Sequence, residues 1–114
     1  MLKVYKKIDK LPKKINLAVY GAGGRGKAII SSILAQRPDI NICAVFDDFV
    51  VDNDIFGFKV LKYTESYKNW DHIIIASIHV GEILKNLKSD ESVLLLDESA
   101  STPISQKISL RFFL

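Results

Sequence analysis

Three glycines give this sequence its strongest candidate for a ligand-binding loop. Gly21, Gly23 and Gly26 lie between an apolar run and a helix-forming run, which is the G-x-G-x-x-G spacing between a strand and a helix. There the first glycine permits a tight turn, the second lets a pyrophosphate approach the backbone, and the third lets the helix pack closely on the strand. Free N–H groups at the helix start then face the anion. The spacing predicts a phosphate-binding loop, and the alternative is a helix-start turn that binds nothing.

Two acids follow the second predicted strand. Asp47 comes 26 positions after Gly21 and is followed by Asp48. In a dinucleotide-binding fold, an acid at this point accepts hydrogen bonds from ribose hydroxyls, whereas the alternative is a solvated turn, in which Asp is common. Asp52 and Asp54 add negative charge that would repel a 2′-phosphate. The acids therefore favour NAD, or another nucleotide without that phosphate, over NADP.

Ser77 and His79 follow a third apolar run, which predicts a buried strand. They would lie at the carboxyl end of that strand, where ligands bind in open α/β sheets. No acidic partner for His79 can be identified from the sequence. A ligand contact or a helix-start role is therefore favoured over acid–base chemistry, and the catalytic residues remain unknown.

Composition limits the remaining classes. The chain has 114 residues and is 48% hydrophobic, which suits one domain with a packed core. It has no apolar run of the roughly 20 residues that span a bilayer and no signal-peptide pattern, so we expect a cytoplasmic protein without a membrane span. Cys43 is the only cysteine, and the histidines His72 and His79 are not spaced as metal ligands. We therefore expect no metal site.

The net charge of +3 comes from the start of the chain. Residues 1–14 contain six lysines and one acid, and the rest contains ten basic and twelve acidic residues, a balance of −2. Val4, Ile8 and Leu11 have helical spacing, which allows a short helix or a loose basic arm. No basic–aromatic recognition module accompanies the lysines, so we expect a solvated lead-in and no nucleic-acid partner.

Apolar runs alternate with helical patterns along the chain. They predict strands at 16–20, 40–46, 59–61, 72–76 and 92–96, and helices at 27–36 and 80–87. This alternation predicts an α/β fold, a Rossmann-like three-layer sandwich with a four- to five-stranded, mainly parallel sheet. The domains would be an N-terminal arm or short helix at 1–14, a nucleotide-binding domain at 15–98, and a linker with an apolar segment at 99–114. That last segment would form an edge strand, or bind a protein partner or a second copy of the chain.

Residues 15–96 resemble a small Rossmann-type domain of bacterial sugar-nucleotide modification enzymes. The nearest forms are the N-terminal domain of PglD-like sugar O-acyltransferases and the nucleotide-binding domain of CapD-like polysaccharide biosynthesis proteins. The resemblance is carried by residues 19–27, 44–48, 55–61 and 72–77. It implies a nucleotide-sugar held by the glycine loop and the acids after the second strand. With the flanking and strand-end candidates, the predicted binding residues are Gly21, Ala22, Gly23, Gly24, Arg25, Gly26, Lys27, Asp47, Asp48, Ser77 and His79.

Two departures from the acyltransferase pattern affect what the resemblance implies. Arg25 replaces a common histidine, and it would either contact a phosphate or point to solvent. Nothing after Leu96 resembles the C-terminal hexapeptide-repeat domain that carries catalysis. The resemblance therefore implies binding of a UDP-sugar or NAD rather than catalysis.

Two alternatives stay open. An NAD-dependent oxidoreductase would have only His79, Tyr20 and Lys27 as acid–base candidates. A protein-interaction module with a decayed ligand site would use the basic arm and the apolar tail, which includes Phe112 and Phe113, as contact surfaces.

Overall fold

A computed structural model describes residues 2–50, 53–63 and 68–97. Asp52, residues 64–67, and the predicted linker and apolar tail at 99–114 lie outside the described residues. The described elements are β1 (Leu2–Tyr5), a 3₁₀ turn (Ile8–Lys10), β2 (Asn16–Tyr20), α1 (Gly24–Gln36), β3 (Asn41–Phe46), β4 (Asp54–Ile55), β5 (Phe58–Leu61), β6 (His72–Ile75), α2 (Val80–Asn86) and β7 (Val93–Leu96).

The strands form a single sheet in the order β1-β7-β6-β2-β3-β5-β4. All neighbouring strands are parallel except the antiparallel pair of β4 and β5. This confirms the predicted α/β class with a mainly parallel sheet. The described sheet has seven strands rather than four or five. The difference comes from β1, in the predicted arm, and from β4, which has only two residues and gives no periodic signal.

The N-terminal segment, predicted as a short helix or a loose basic arm, packs onto the domain as β1 and a 3₁₀ turn. β1 pairs with β7, and the 3₁₀ turn that follows buries Ile8 and Leu11, which are 5% and 2% exposed. Val4 shares their helical spacing but lies in β1 and is 55% exposed. Arg37 anchors the segment because its guanidinium donates hydrogen bonds to the carbonyls of residues 8, 11 and 12. The domain boundaries themselves stay predictions.

Side chains of the central strands alternate between the two faces of the sheet, as strand geometry requires. Leu17 and Val19 of β2 pack with isoleucines of α1, whereas Ala18 and Tyr20 pack with Ile83 of α2. The two helices therefore cover opposite faces. Since β2 has β3 on one side and β6 on the other, a crevice forms at the carboxyl end of β2, where open α/β sheets bind ligands.

An aromatic cluster fills the α2 face beside this crevice. Phe46 packs edge-on against Tyr63 and Trp70, with ring centroids 5.5 and 5.2 Å apart. The buried carboxylate of Glu91 accepts hydrogen bonds from the Tyr63 hydroxyl at 2.6 Å and the Trp70 indole at 3.0 Å. Both aromatics are therefore core residues.

The described residues contain neither a helix suited to a membrane nor a cluster of metal ligands. None of their helices is long and apolar enough to cross a membrane. No group of three or more His, Cys, Asp or Glu side chains in that part of the chain is placed to hold a metal ion.

Candidate functional site

A cavity of about 440 Å³ opens at the carboxyl ends of β2, β3 and β6. This size lies within the roughly 300–1,000 Å³ of small-molecule sites. Eight of the eleven predicted binding residues line it, namely Gly21, Gly23, Gly24, Arg25, Asp47, Asp48, Ser77 and His79. The structure thus brings together loops that are far apart in the sequence.

Three predicted residues do not line the cavity. Ala22 is buried in the core, and its N–H donates a hydrogen bond to Asp47 at 2.8 Å. Gly26 faces the turn beneath α1, and Lys27 is exposed in the first turns of that helix. The loop therefore contributes its first half to the cavity and its second half to packing.

Gly21 and Gly26 are required by the fold itself. Gly21 has a φ of +130°, and a Cβ there would overlap the carbonyl group of Ala76 at the end of β6. A Cβ on Gly26 would lie 2.6 Å from the carbonyl carbon of Gly21. Close contact between turn, helix and strand explains both glycines without a ligand, as the motif predicts for its first and third positions.

No contact among the described residues requires a glycine at position 23 or 24. A Cβ at either position would meet no atom within 4 Å, and the φ of −82° at Gly23 is open to any residue. Both glycines line the cavity. Side chains at these positions would therefore occupy cavity space and would not disturb the protein interior.

The carboxylate of Asp47 holds the cavity wall together. One oxygen accepts the N–H of Ala22, and the other accepts the N–H groups of Phe49 and Val50 at 2.8 and 2.9 Å. Partial burial raises the cost of ionisation, but the three N–H donors outweigh it and lower the pKa of Asp47 below its ordinary value. Asp47 thus links the glycine turn to the loop after β3.

Asp48 is exposed and is paired with a buried tyrosine. The Tyr20 hydroxyl donates to both carboxylate oxygens, at 2.8 and 2.9 Å. Burial, reinforced by this hydrogen bond, raises the pKa of Tyr20 far above its ordinary value. Tyr20 is therefore a fixed hydrogen-bond donor at neutral pH, which disfavours it as a general base.

Arg25 adopts a third arrangement besides the two that were predicted. Its guanidinium donates to the carbonyl oxygen of Leu96, the last residue of β7, at 2.8 Å, and it also lines the cavity. A guanidinium has five N–H donors, so this contact leaves others for a ligand. Arg25 is the only Lys or Arg among the described residues that line the cavity.

Ser77 and His79 shape the loop between β6 and α2. The Ser77 hydroxyl accepts the backbone N–H of His79 at 3.1 Å, which supports the turn that starts α2. Within the described ranges, no hydrogen bond joins the His79 imidazole to a carboxylate. The two residues therefore line the cavity without forming an acid–base pair.

A comparison with protein families identifies the chain. Residues 16–78 match the family model of the PglD N-terminal domain, which is more than half of the 114 residues. The chain belongs to the PglD N-terminal domain family. Membership relates it to sugar O-acyltransferases and to polysaccharide or glycan biosynthesis. Neither the search of curated proteins nor that of solved structures gave a match.

The match to the PglD N-terminal domain confirms one of the two resemblances. It includes β2, the glycine loop, both acids and Ser77, and it ends just before His79. The resemblance to the CapD-like domain stays a prediction. His79 and α2 complete the cavity from outside the matched range.

Several residues that line this cavity were not predicted as ligand contacts. Three of them are on α2 at spacings of three to seven residues from His79, so a helical projection of α2 would have grouped them. Two others are large and apolar at the rim, where Phe49 is 90% exposed and Ile78 is 57% exposed. The lining residues missed as ligand contacts are Tyr20, Phe49, Val50, Ala76, Ile78, Glu82, Ile83 and Asn86.

Proposed function

We propose that this PglD N-terminal domain binds a nucleotide or nucleotide-sugar for a sugar-modification or polysaccharide-biosynthesis system. The phosphates would lie at the start of α1, and the ribose would lie at the carboxylates after β3. A UDP-sugar or NAD fits this proposal best, and catalysis would reside in another domain or partner.

The open space at Gly23 and Gly24 carries the proposal. The fold accounts for the other two glycines of the loop, whereas these two face open space where they line the cavity. A phosphate that approaches the backbone needs such room.

The start of α1 offers suitable chemistry for an anion. The helix has 13 residues, and neither a side-chain cap nor an acidic residue occupies its first turn. Its first N–H groups lack partners within the helix, and its dipole favours negative charge there. The Arg25 guanidinium adds a full positive charge at the same end of the cavity.

The loop after β3 offers hydrogen-bond acceptors. Asp47 and Asp48 stand at the end of β3, and carboxylates at this point suit ribose hydroxyls. They would repel an additional phosphate, since like charges a few ångströms apart interact unfavourably. This arrangement favours UDP-sugars or NAD over NADP.

Ligand-dependent thermal stability tests the proposal. The domain would be heated with UDP, UDP-sugars, NAD, NADP, coenzyme A and AMP. A ligand that binds only the folded state at about 100 times its Kd adds about 2.7 kcal/mol of stability. We expect an increased melting temperature with UDP and UDP-sugars. An increase with NAD alone would favour an oxidoreductase, and no increase in a folded sample would refute nucleotide binding.

Two matched variants locate the binding site. Gly23→Val should abolish binding without unfolding, because its side chain would enter the cavity and not the core. Gly81→Val is the control, since its Cβ also meets no atom within 4 Å but Gly81 does not line the cavity. Equal binding by both variants, or unfolding of Gly23→Val, would contradict the role of Gly23.

A further inference from the structure

The two adjacent acids after β3 differ in what already occupies their oxygens. Asp47 is half-buried and accepts three backbone N–H groups, one from the glycine turn and two from its own loop. A carboxylate has about four acceptor positions, so Asp47 has little capacity left. Its bonds join two chain segments that form the cavity wall.

Asp48 is exposed and accepts few hydrogen bonds. Within the described part of the chain, its hydrogen-bond donor is the single Tyr20 hydroxyl, which is shared between both oxygens at 2.8 and 2.9 Å. The other lone pairs of the carboxylate are free to accept ligand hydroxyls. Asp48 lines the same cavity as Gly23 and Arg25.

Tyr20 is held rigidly. It is 2% exposed, and its ring lies 6.1 Å from that of Phe46 and 5.7 Å from that of Tyr63. An exposed Asp would otherwise sample several rotamers. The fixed hydroxyl orients the Asp48 carboxylate before a ligand arrives, and such preorganisation lowers the entropy lost on binding.

We propose that Asp48, and not Asp47, accepts the ribose hydroxyls of the ligand, and that Tyr20 is the positioning residue that orients its carboxylate. This inference rests on the proposed nucleotide-binding function. The ligand group recognised is a cis-diol, because two neighbouring hydroxyls can donate to the two oxygens of one carboxylate. Asp47 instead maintains the wall against which the diol lies.

Calorimetric titration with UDP and 2′-deoxy-UDP tests the assignment. Hydrogen bonds to charged groups are worth roughly one to two orders of magnitude in affinity, so the wild type should bind UDP at least about tenfold more tightly than 2′-deoxy-UDP. Tyr20→Phe keeps the buried ring and removes only the hydroxyl. It should weaken UDP binding several-fold and 2′-deoxy-UDP binding less, because 2′-deoxy-UDP keeps only one hydroxyl of the diol. Asp48→Asn should reduce the preference for UDP in the same way.

Asp47→Asn is the matched control for the neighbouring acid. It should lower the melting temperature while the protein that remains folded keeps the preference for UDP. A preference that disappears in Asp47→Asn but persists in Asp48→Asn would assign the diol to Asp47. If Tyr20→Phe weakens both nucleotides equally, Tyr20 only supports the wall and the positioning role is refuted.

Failure of this inference can be separated from failure of the proposed function. If the wild type binds UDP and 2′-deoxy-UDP equally, the diol contact is wrong while nucleotide binding stands. If the wild type binds neither of them, nor a UDP-sugar, nor NAD, both proposals fall. Circular-dichroism melting of each variant establishes that the titrated protein is folded.

Discussion

Replacing Gly26 by alanine separates the structural half of the glycine loop from the half that lines the cavity. The added Cβ would lie 2.6 Å from the carbonyl carbon of Gly21, whereas non-bonded carbon atoms prefer about 3.5–4.0 Å. The carbonyl oxygen of Gly21 would be closer still, so the start of α1 must move by at least about 1 Å from the turn. That turn is itself in close contact with the backbone of Ala76, so it cannot easily yield.

The cost follows from two opposing effects. Overpacking a close contact costs about 1–3 kcal/mol and sometimes more. Alanine regains about 1 kcal/mol because it favours the helical conformation over glycine. Because the overlap is with backbone atoms that cannot rotate away, the upper end of this cost applies, and the net loss is about 2 kcal/mol, which corresponds to roughly 8–15 °C in melting temperature for a domain of this size.

Thermal and urea denaturation measured side by side test this value. The control is Gly24→Ala, two positions earlier in the same helix, where a Cβ meets no atom within 4 Å. We expect the melting temperature of this control to be unchanged or slightly raised. The reasoning would be refuted if Gly26→Ala were as stable as the wild type, or if both variants were destabilised equally.

Three further predictions concern the rest of the framework. Arg37→Lys should lower the free energy of unfolding by about 3 kcal/mol, because an ammonium cannot reach the three carbonyls that the guanidinium binds. Urea denaturation measures the loss, and an unchanged midpoint would contradict the prediction. The free energy of unfolding should fall as the pH decreases below about 4. Asp39 and Asp47 have lowered pKa values in the folded state, and the stabilisation they provide is lost once they are protonated. A free energy of unfolding that stays constant from pH 6 to pH 2 would contradict this. Glu91→Ala should lower the free energy of unfolding by about 2–3 kcal/mol, since two buried aromatic donors lose their acceptor. A urea midpoint close to that of the wild type would contradict this and would show that water replaces the carboxylate.

The central sheet and much of the site follow from local sequence patterns. The run at Asn16–Tyr20 is apolar because β2 is covered on both faces. The glycines that follow this run predict the turn. The polar residues at strand ends, such as Asp47 and Ser77, were predictable as cavity residues because parallel strands bring their carboxyl ends to one edge.

The N-terminal segment was not predictable from its own residues. Val4, Ile8 and Leu11 have helical spacing, but hydrogen bonds from β7 and from Arg37 determine their conformation. Arg37 lies far along the chain, next to a proline that marks a helix end. Sequence periodicity carries no information about such a partner, so tertiary contacts override the local pattern.

Tyr20 was missed as a site residue for a different reason. It ends an apolar strand, so its side chain counts as core, and its ring is indeed buried. Only the alternation of β2 and the position of Asp48 place its hydroxyl at the cavity. A tyrosine can serve the core with its ring and the site with its hydroxyl, and a binary hydrophobic pattern does not distinguish these roles.

The motif residues divide into two groups, and this affects what the motif can prove. Gly21, Gly26 and Asp47 make contacts that the fold needs whether or not a ligand is bound. A domain of this family that had lost its ligand would have physical reasons to keep them. Gly23 faces open space and has no comparable structural requirement, and Asp48 is exposed and links to the rest of the domain through the Tyr20 hydroxyl, not through backbone N–H groups. These two positions, more than the complete G-x-G-x-x-G pattern, therefore distinguish a nucleotide-binding domain from an empty scaffold.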